Sequence, residues 1–558
     1  MSDKKRARES RAAIERLYIT MRHLFIRGSY KPMGVSGRSL RNALLELSPE
    51  IYGTINDREK VELNGLLYVM ERLPQGIEEC QFIKLVAREG FSEVGHPTII
   101  PPKRRRNCFR IDNDRMYIEM TRGRSDIYDI LTHLTFLYIE AEKIKNHALD
   151  PKEKKLTDDW MRLEEIVQLE RQNKPFDEKK AVVYLSNVLG RTIHETQSAL
   201  RKFRKSKDQN SLYHIAYWLG KTAIEEWKEE RDKEISFTAK LREVVGHHIY
   251  GERWDNRITT FLMHKGWEKR PIHIISANLH SFMNAIYGFD ALPDQHFSTL
   301  EELAIHVSRE ENISAREAIK EHALANGMYE VLDHSGTNLA VQVFDLAKVN
   351  FDKLPDELQG TYTKEEMPLL LVMDYAFGEQ AFECMDELLK PNEVGAKQIA
   401  LNVESISIMG KAGILEGGKG DIMVPTAHVF EGTADNYPIQ NDFKKKDFKG
   451  FGLNVFEGPM VTVLGTSLQN RDVLYHFKTS TWNAIGLEME GAHYQKAIQS
   501  ATMIRKSIKG SIKLRYAYYA SDNPLETGST LASGSLGMEG IKPTYLITSK
   551  ILSKILKP

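Results

Sequence analysis

Seven short apolar runs alternate with helical stretches through the second half of this 558-residue chain: Ile272–Ser276, Leu339–Phe344, Pro368–Met373, Ser405–Met409, Asp421–Pro425, Met460–Leu464 and Leu514–Ala520. Runs this short and largely apolar suit strands, and the intervening helices return the chain to begin a neighbouring strand. The pattern predicts an α/β fold, a mixed, mostly parallel sheet flanked by helices. A helical segment from Leu300 to Ala325 falls between the first two strands and reads as an insertion near 295–330.

The residues before Ile272 follow a different period. Ile14, Leu17, Tyr18, Met21, Leu24 and Phe25 recur at i, i+3, i+4, which is a helix with one buried face. Val61, Leu66, Leu67, Val69 and Met70 suggest another, closed by Pro74 and Gly76. Arg110 to Met120 alternates like a hairpin strand, and Ser125 reads as the cap of a helix reaching Ile144. The chain is too long for one ordinary core. It divides into a large, mainly α-helical domain over 1–267, suited to regulation or oligomerisation, and a second domain over 268–558.

Charge is balanced, 77 basic residues against 77 acidic, so no global field favours nucleic acid or a membrane surface as partner. Cys80, Cys108 and Cys384 are too few and too scattered for a disulfide framework or a metal cluster, which fits a reducing, cytoplasmic compartment. His247, His248, Glu252 and His264 lack a metal-binding spacing. Neither a metal nor a cofactor is expected. No apolar run approaches the roughly eighteen residues that a membrane span needs.

Chemistry concentrates near the end of the chain. Gly486-Leu487-Glu488-Met489-Glu490-Gly491 closes one apolar run, and Tyr518-Tyr519-Ala520-Ser521-Asp522-Asn523-Pro524-Leu525 closes the last strand. Carboxylates at the carboxyl ends of neighbouring strands point into one crevice. Upstream, Gly410-Lys411-Ala412-Gly413 leads into Gly420-Asp421, and Leu369 to Asp374 runs into Tyr375-Ala376-Phe377-Gly378 and a helix. These four segments, in this order over roughly 368–551, resemble the nucleoside phosphorylase and nucleosidase superfamily. Within it, the Ser521-Asp522-Asn523-Pro524-Leu525 tail, the opening helix and the Ile272–Met283 segment are most similar to bacterial AMP nucleosidases.

The resemblance implies cleavage of a purine N-glycosidic bond. Such a reaction needs an acid for the departing base and carboxylates for a sugar that becomes oxocarbenium-like. Asp522 is then the expected acid, oriented by Ser521, and Glu490 the acceptor for the ribose hydroxyls, with Met489 under the sugar. Glycines at 410 and 413 would present backbone N–H groups in a loop. In phosphorylases of the superfamily a serine follows the first glycine and arginines stand nearby. Here Lys411 takes that place, suited to a 5′-phosphate, while the first-strand loop offers Asn278, His280 and Ser281 without an arginine. His280 is the candidate to position water. The missing arginine favours hydrolysis over phosphorolysis.

Further candidates carry less specific signals. Gly378 opens a helix and could hold an anion, and Gln469, Asn470 and Arg471 correspond to a base-pocket region. Arg122 and Arg124 precede a helix start and could take a phosphate or effector. Lys103-Arg104-Arg105-Arg106 reads as a solvated loop. The leading expectation is an AMP nucleosidase-like N-ribohydrolase, giving adenine and ribose 5-phosphate from AMP and water, in a homo-oligomer. Two rivals remain: a purine nucleoside phosphorylase using inorganic phosphate, and a nucleotide-sensing or scaffold protein on a retained fold.

Overall fold

The computed structural model describes residues 3–150, 152–206, 209–355, 357–359, 367–394, 397–433, 435–526 and 536–557. The chain forms two compact units, one of Met1–His247 with Ser467–Val473, the other of His248–Thr466 with Leu474–Pro558.

The first unit is built from long helices, among them Asp3–Arg27, Gly123–Ala148 and Leu212–Trp227, together with a six-stranded sheet. The sequence reading anticipated helices and one hairpin strand here and missed most of that sheet. Its strands are two to five residues long, too short to display an alternation of their own. The helix from Gly123 to Ala148 starts two residues before Ser125, which therefore lies in its first turn rather than capping it. Further on, the helix Asp158–Arg171 is capped by the Thr157 side chain and the helix Glu178–Leu189 by Asp177.

In the second unit all seven expected strands form, three of them much extended, to Val403–Ile414, Ile422–Phe430 and Val455–Thr462. Three short ones join them, Met328–Val331, Asn436–Pro438 and Gly486–Glu488, in a ten-stranded sheet. The expectation of a mostly parallel sheet needs correction. Among the described residues this sheet has five parallel pairings and five antiparallel ones. Apolar content reports burial on both faces but not the direction of travel. Between the first two expected strands lie the helices Leu300–Ser308 and Ile313–Ala325. Two apolar clusters fill the space above and below the sheet. One contains Met409, Ala517 and Tyr519 under the helices Leu279–Ala291 and Ile541–Leu556, and the other contains Ile408, Tyr516 and Tyr518 under Gln380–Leu388 and Gly491–Gln499. Alternate residues of one strand thus feed opposite cores, which is the period-two rule at work.

Candidate active site

The middle of the sheet contains a gap. Strand Val403–Ile414 is paired along one edge by the parallel strand Lys513–Asp522, up to Gly413 opposite Asp522. Along its other edge, Ile272–Ser276 reaches only as far as Ile408. Gly486–Glu488 arrives from the opposite direction and pairs only Gly413 and Ile414. Met409–Ala412 therefore lies between the ends of two strands, and the segments that follow each end, Ala277–His280 and Met489–Gly491, turn away at the same opening. A sheet that parts in this way leaves room for a ligand at its strand ends.

The two glutamates of the Glu-Met-Glu segment have different environments. Glu488 is 2% exposed, takes the Thr462 hydroxyl and the backbone N–H groups of Glu490 and Gly491, and is committed to holding the turn. Burial pushes its pKa up to about 7. Gly491 is required in that turn because a Cβ there would sit 2.3 Å from the His428 ring. Glu490 keeps part of its surface open. Its Oε1 accepts the N–H of Gly378 at 2.9 Å, and burial, reinforced by the neighbouring Glu488 charge, pushes its pKa up to about 8. Gly378, at φ 56°, stands just before the helix Gln380–Leu388. The N–H expected to receive an external anion thus receives the protein's own carboxylate. Met489 is 8% exposed, and its N–H also supports the Glu490 carboxylate.

Asp522 ends the last strand and is 1% exposed. The hydroxyl of Ser521 reaches both Asp522 Oδ1 and, at 3.1 Å, the Ala412 carbonyl, which ties the acid to the central strand. The pairing shifts by one residue between Ala412 and Gly413, a bulge that redirects the end of the strand.

Gly410, Lys411, Ala412 and Gly413 do not form a loop. All four lie in the twelve-residue strand Val403–Ile414, with Gly410 and Lys411 opposite Tyr518 and Tyr519. The ladder with Lys513–Asp522 occupies this backbone on one edge, so an anion-holding turn is replaced by an extended segment. Lys411 is exposed and faces the same side as Tyr519. A cavity of about 710 Å³ opens there, lined by Asn278, His280, Lys411 and Tyr519 and by residues of the insertion and the C-terminal helix. The Asn278 side chain accepts the Ser281 N–H at 3.2 Å and so caps its helix, while His280 is exposed. Sequence reasoning missed Tyr375, a partly exposed residue whose phenol neighbours Tyr519 and the Asn278 backbone.

Asn470, Arg122 and Arg124 belong to the first unit. The Asn470 amide donates to the Leu47 carbonyl at 2.8 Å and caps the helix that follows through the Asp472 and Val473 N–H groups. Arg122 pairs with Asp126 at 3.0 Å. The run read as a solvated loop divides: Lys103 and Arg105 are exposed, Arg104 is half-buried and Arg106 is interior. Arg106 is 2% exposed and paired with Asp126 and Asp129, and Arg104 holds Asp129 with two hydrogen bonds. Two aspartates on the helix Gly123–Ala148 draw these guanidinium groups inward, a partnership that composition alone cannot show.

Among the described residues there is no group of three or more His, Cys, Asp or Glu placed to hold a metal ion, and no helix is long and apolar enough to cross a membrane. The profile of DUF6909, a family of unknown function, matches residues 38–302 and 297–557. No curated protein matches. Among solved structures, the chain is similar to the 5′-methylthioadenosine/S-adenosyl homocysteine nucleosidase of Campylobacter jejuni at 11% identity and a TM-score of 0.32, covering 52% of this chain and 100% of that one. It is similar to the futalosine hydrolase of Helicobacter pylori at 12% identity and a TM-score of 0.29, covering 52% and 98%. A uridine phosphorylase isoform of Schistosoma mansoni matches at 12% identity and a TM-score of 0.29, covering 55% and 91%.

Proposed function

The chain belongs to the family DUF6909, and we propose that it is a purine N-ribohydrolase, with AMP and water as substrates and adenine and ribose 5-phosphate as products. One observation carries this reading. Gly413 of the central strand has Asp522 opposite on one edge and Leu487, which leads into Glu488 and Glu490, opposite on the other. Asp522 therefore lies across the central strand from the segment that leads to Glu490.

In the mechanism, Asp522 protonates the purine as the glycosidic bond breaks, with Ser521 and the Ala412 carbonyl fixing its orientation. Glu490 accepts from the ribose hydroxyls and, as a carboxylate, stabilises the positive charge that grows on the sugar. The Gly378 N–H keeps it aimed. His280 positions the attacking water, and Lys411 meets the 5′-phosphate. The first unit serves regulation or assembly.

Incubation with AMP, adenosine, inosine and guanosine, with and without inorganic phosphate, tests this by release of free base. Release from AMP in buffer without phosphate is expected. Release that requires phosphate would make the enzyme a phosphorylase, and binding without release from any purine would make it a sensor.

A further inference from the structure

Charge is balanced over the whole chain but not over its surface. The helix Ile541–Leu556 buries twelve of its sixteen residues, and the four it leaves unburied are Lys542, Lys550, Ser553 and Lys554. Beside it runs the segment 443–452. Phe443 and Phe448 of that segment are buried in the same apolar cluster as Ile551 and Leu552 of the helix, which leaves Lys444, Lys445, Lys446 and Lys449 exposed. Three approaches join the segment to the helix. Lys550 Nζ lies 4.4 Å from the centroid of the Phe451 ring, and Lys554 Nζ lies 4.0 Å from Asp447. A Cβ added to Gly452 would sit 3.7 Å from Lys542 Nζ. Phe451 is 38% exposed and stands between Gly450 and Gly452, at φ 91° and 73°. Left-handed backbone on both sides turns the chain sharply around the ring, which glycine alone allows without strain.

Seven lysines thus gather around one exposed phenylalanine. The acids that meet them are Asp447, Glu301 at 3.8 Å from Lys542, and Glu457, which accepts the Lys445 N–H at 3.0 Å. The face keeps a surplus of positive charge. We propose that it docks on an anionic lipid surface, with the lysines against headgroup phosphates and Phe451 entering the interfacial layer. Lysine clusters of this size hold anionic lipid by charge, and a ring at headgroup level adds apolar contact. Lipid fits this face better than nucleic acid does. A single strand is held by several rings that stack on successive bases, and duplex bases are read by guanidinium and amide groups. Here there is one ring, covered on one side by Lys550, and the two segments contain no arginine. The ribohydrolase reading does not enter the argument.

Flotation of the full chain with vesicles of phosphatidylcholine, alone or mixed about three to one with phosphatidylserine, tests the proposal. Binding to the mixed vesicles is expected, with none to phosphatidylcholine alone and release as salt is raised. Lys445→Ala combined with Lys446→Ala changes two exposed positions and should weaken the partition roughly 10- to 30-fold, at about 5-fold for each lysine. Phe451→Ser should weaken it about 3- to 10-fold, as expected for a ring that is only partly open to the lipid. Circular dichroism of both variants should match that of the wild type. No binding to mixed vesicles at low salt, binding that survives loss of the two lysines, or indifference to Phe451→Ser overturns the proposal. So does tighter retention by a single-stranded oligonucleotide than by the mixed vesicles, which would give the face to nucleic acid.

Discussion

The backbone N–H of Gly378 donates to Oε1 of Glu490 at 2.9 Å across 112 residues of sequence. The bond fixes the carboxylate before any ligand arrives, and preorganised charge at the site of a developing cation is worth more than charge that must move into place. Glu490→Gln keeps the shape and the acceptor oxygen but removes the charge. Turnover should fall by the equivalent of about 1.5–3 kcal/mol, the worth of a hydrogen bond to a charged group, with little change in KM, because the sugar is cationic only in the transition state. Steady-state kinetics on a purine riboside checks this. A loss confined to KM would remove Glu490 from the charge-stabilising role.

The same carboxylate sets an expected pH dependence. Glu490 and Glu488 have pKa values pushed up to about 8 and about 7, and as close neighbours they titrate as a pair. Only the ionised form of Glu490 stabilises a cationic sugar, so kcat/KM should rise as pH climbs toward 8 and lose that rise in Glu490→Gln. Stability should move the other way. Both acids hold their protons more tightly folded than unfolded, so between the ordinary carboxylate range and pH 8 the folded state binds more protons. The stabilisation is complete at low pH and lost as pH rises. The Tm of wild type should therefore fall from pH 5 to pH 8 more than that of Glu488→Gln.

Asp522→Asn should lower turnover by roughly 10²- to 10⁴-fold, the usual contribution of a general acid, while circular dichroism shows an intact fold. Asparagine can still accept from Ser521 but has no acidic proton to give. A near-normal rate for this variant on AMP or adenosine would assign proton donation elsewhere.

Lys411→Ser should reduce cleavage of AMP by the equivalent of about 1.5–3 kcal/mol more than cleavage of adenosine. Lys411 is exposed on a strand, so the substitution leaves the core untouched and the comparison is clean. Equal losses on both substrates would give the lysine to the nucleophile rather than to the phosphate.

In the first unit, Arg106 is the test of the buried ion network. Its side chain is fully buried between Asp126 and Asp129, at 2.7 and 2.5 Å. Arg106→Leu takes one guanidinium from both carboxylates, leaving Asp126 with Arg122 and Asp129 with Arg104, and should cost up to about 3–5 kcal/mol of stability, read from denaturant unfolding. A second measurement addresses assembly: light scattering at micromolar concentration should show a species larger than the 64.0 kDa chain.

The local signals in the sequence were strong where chemistry and period coincide. The apolar runs located the strands of the second unit, and two short acidic segments, Glu488–Glu490 and Ser521–Asp522, singled out the residues that end beside the sheet gap. Period alone also located the first helix, Asp3–Arg27, because a 3.6-residue repeat survives whatever packs against it. Direction and register were another matter. Gly410 to Gly413 looked like a phosphate-holding turn, yet the flanking apolar residues, paired to Lys513–Asp522, keep it extended. Arg106 looked solvated, yet Asp126 and Asp129 draw it inside. Gly378 looked ready for an external anion, yet Glu490 reaches it first. In each case the deciding partner lies in another part of the sequence. What the residues determined by themselves was which segments could be strands, helices or acids. Which of them met, and therefore which charges remained open to a ligand, was decided only by tertiary pairing, because a hydrogen bond or ion pair depends on distance in space and leaves no trace in local composition.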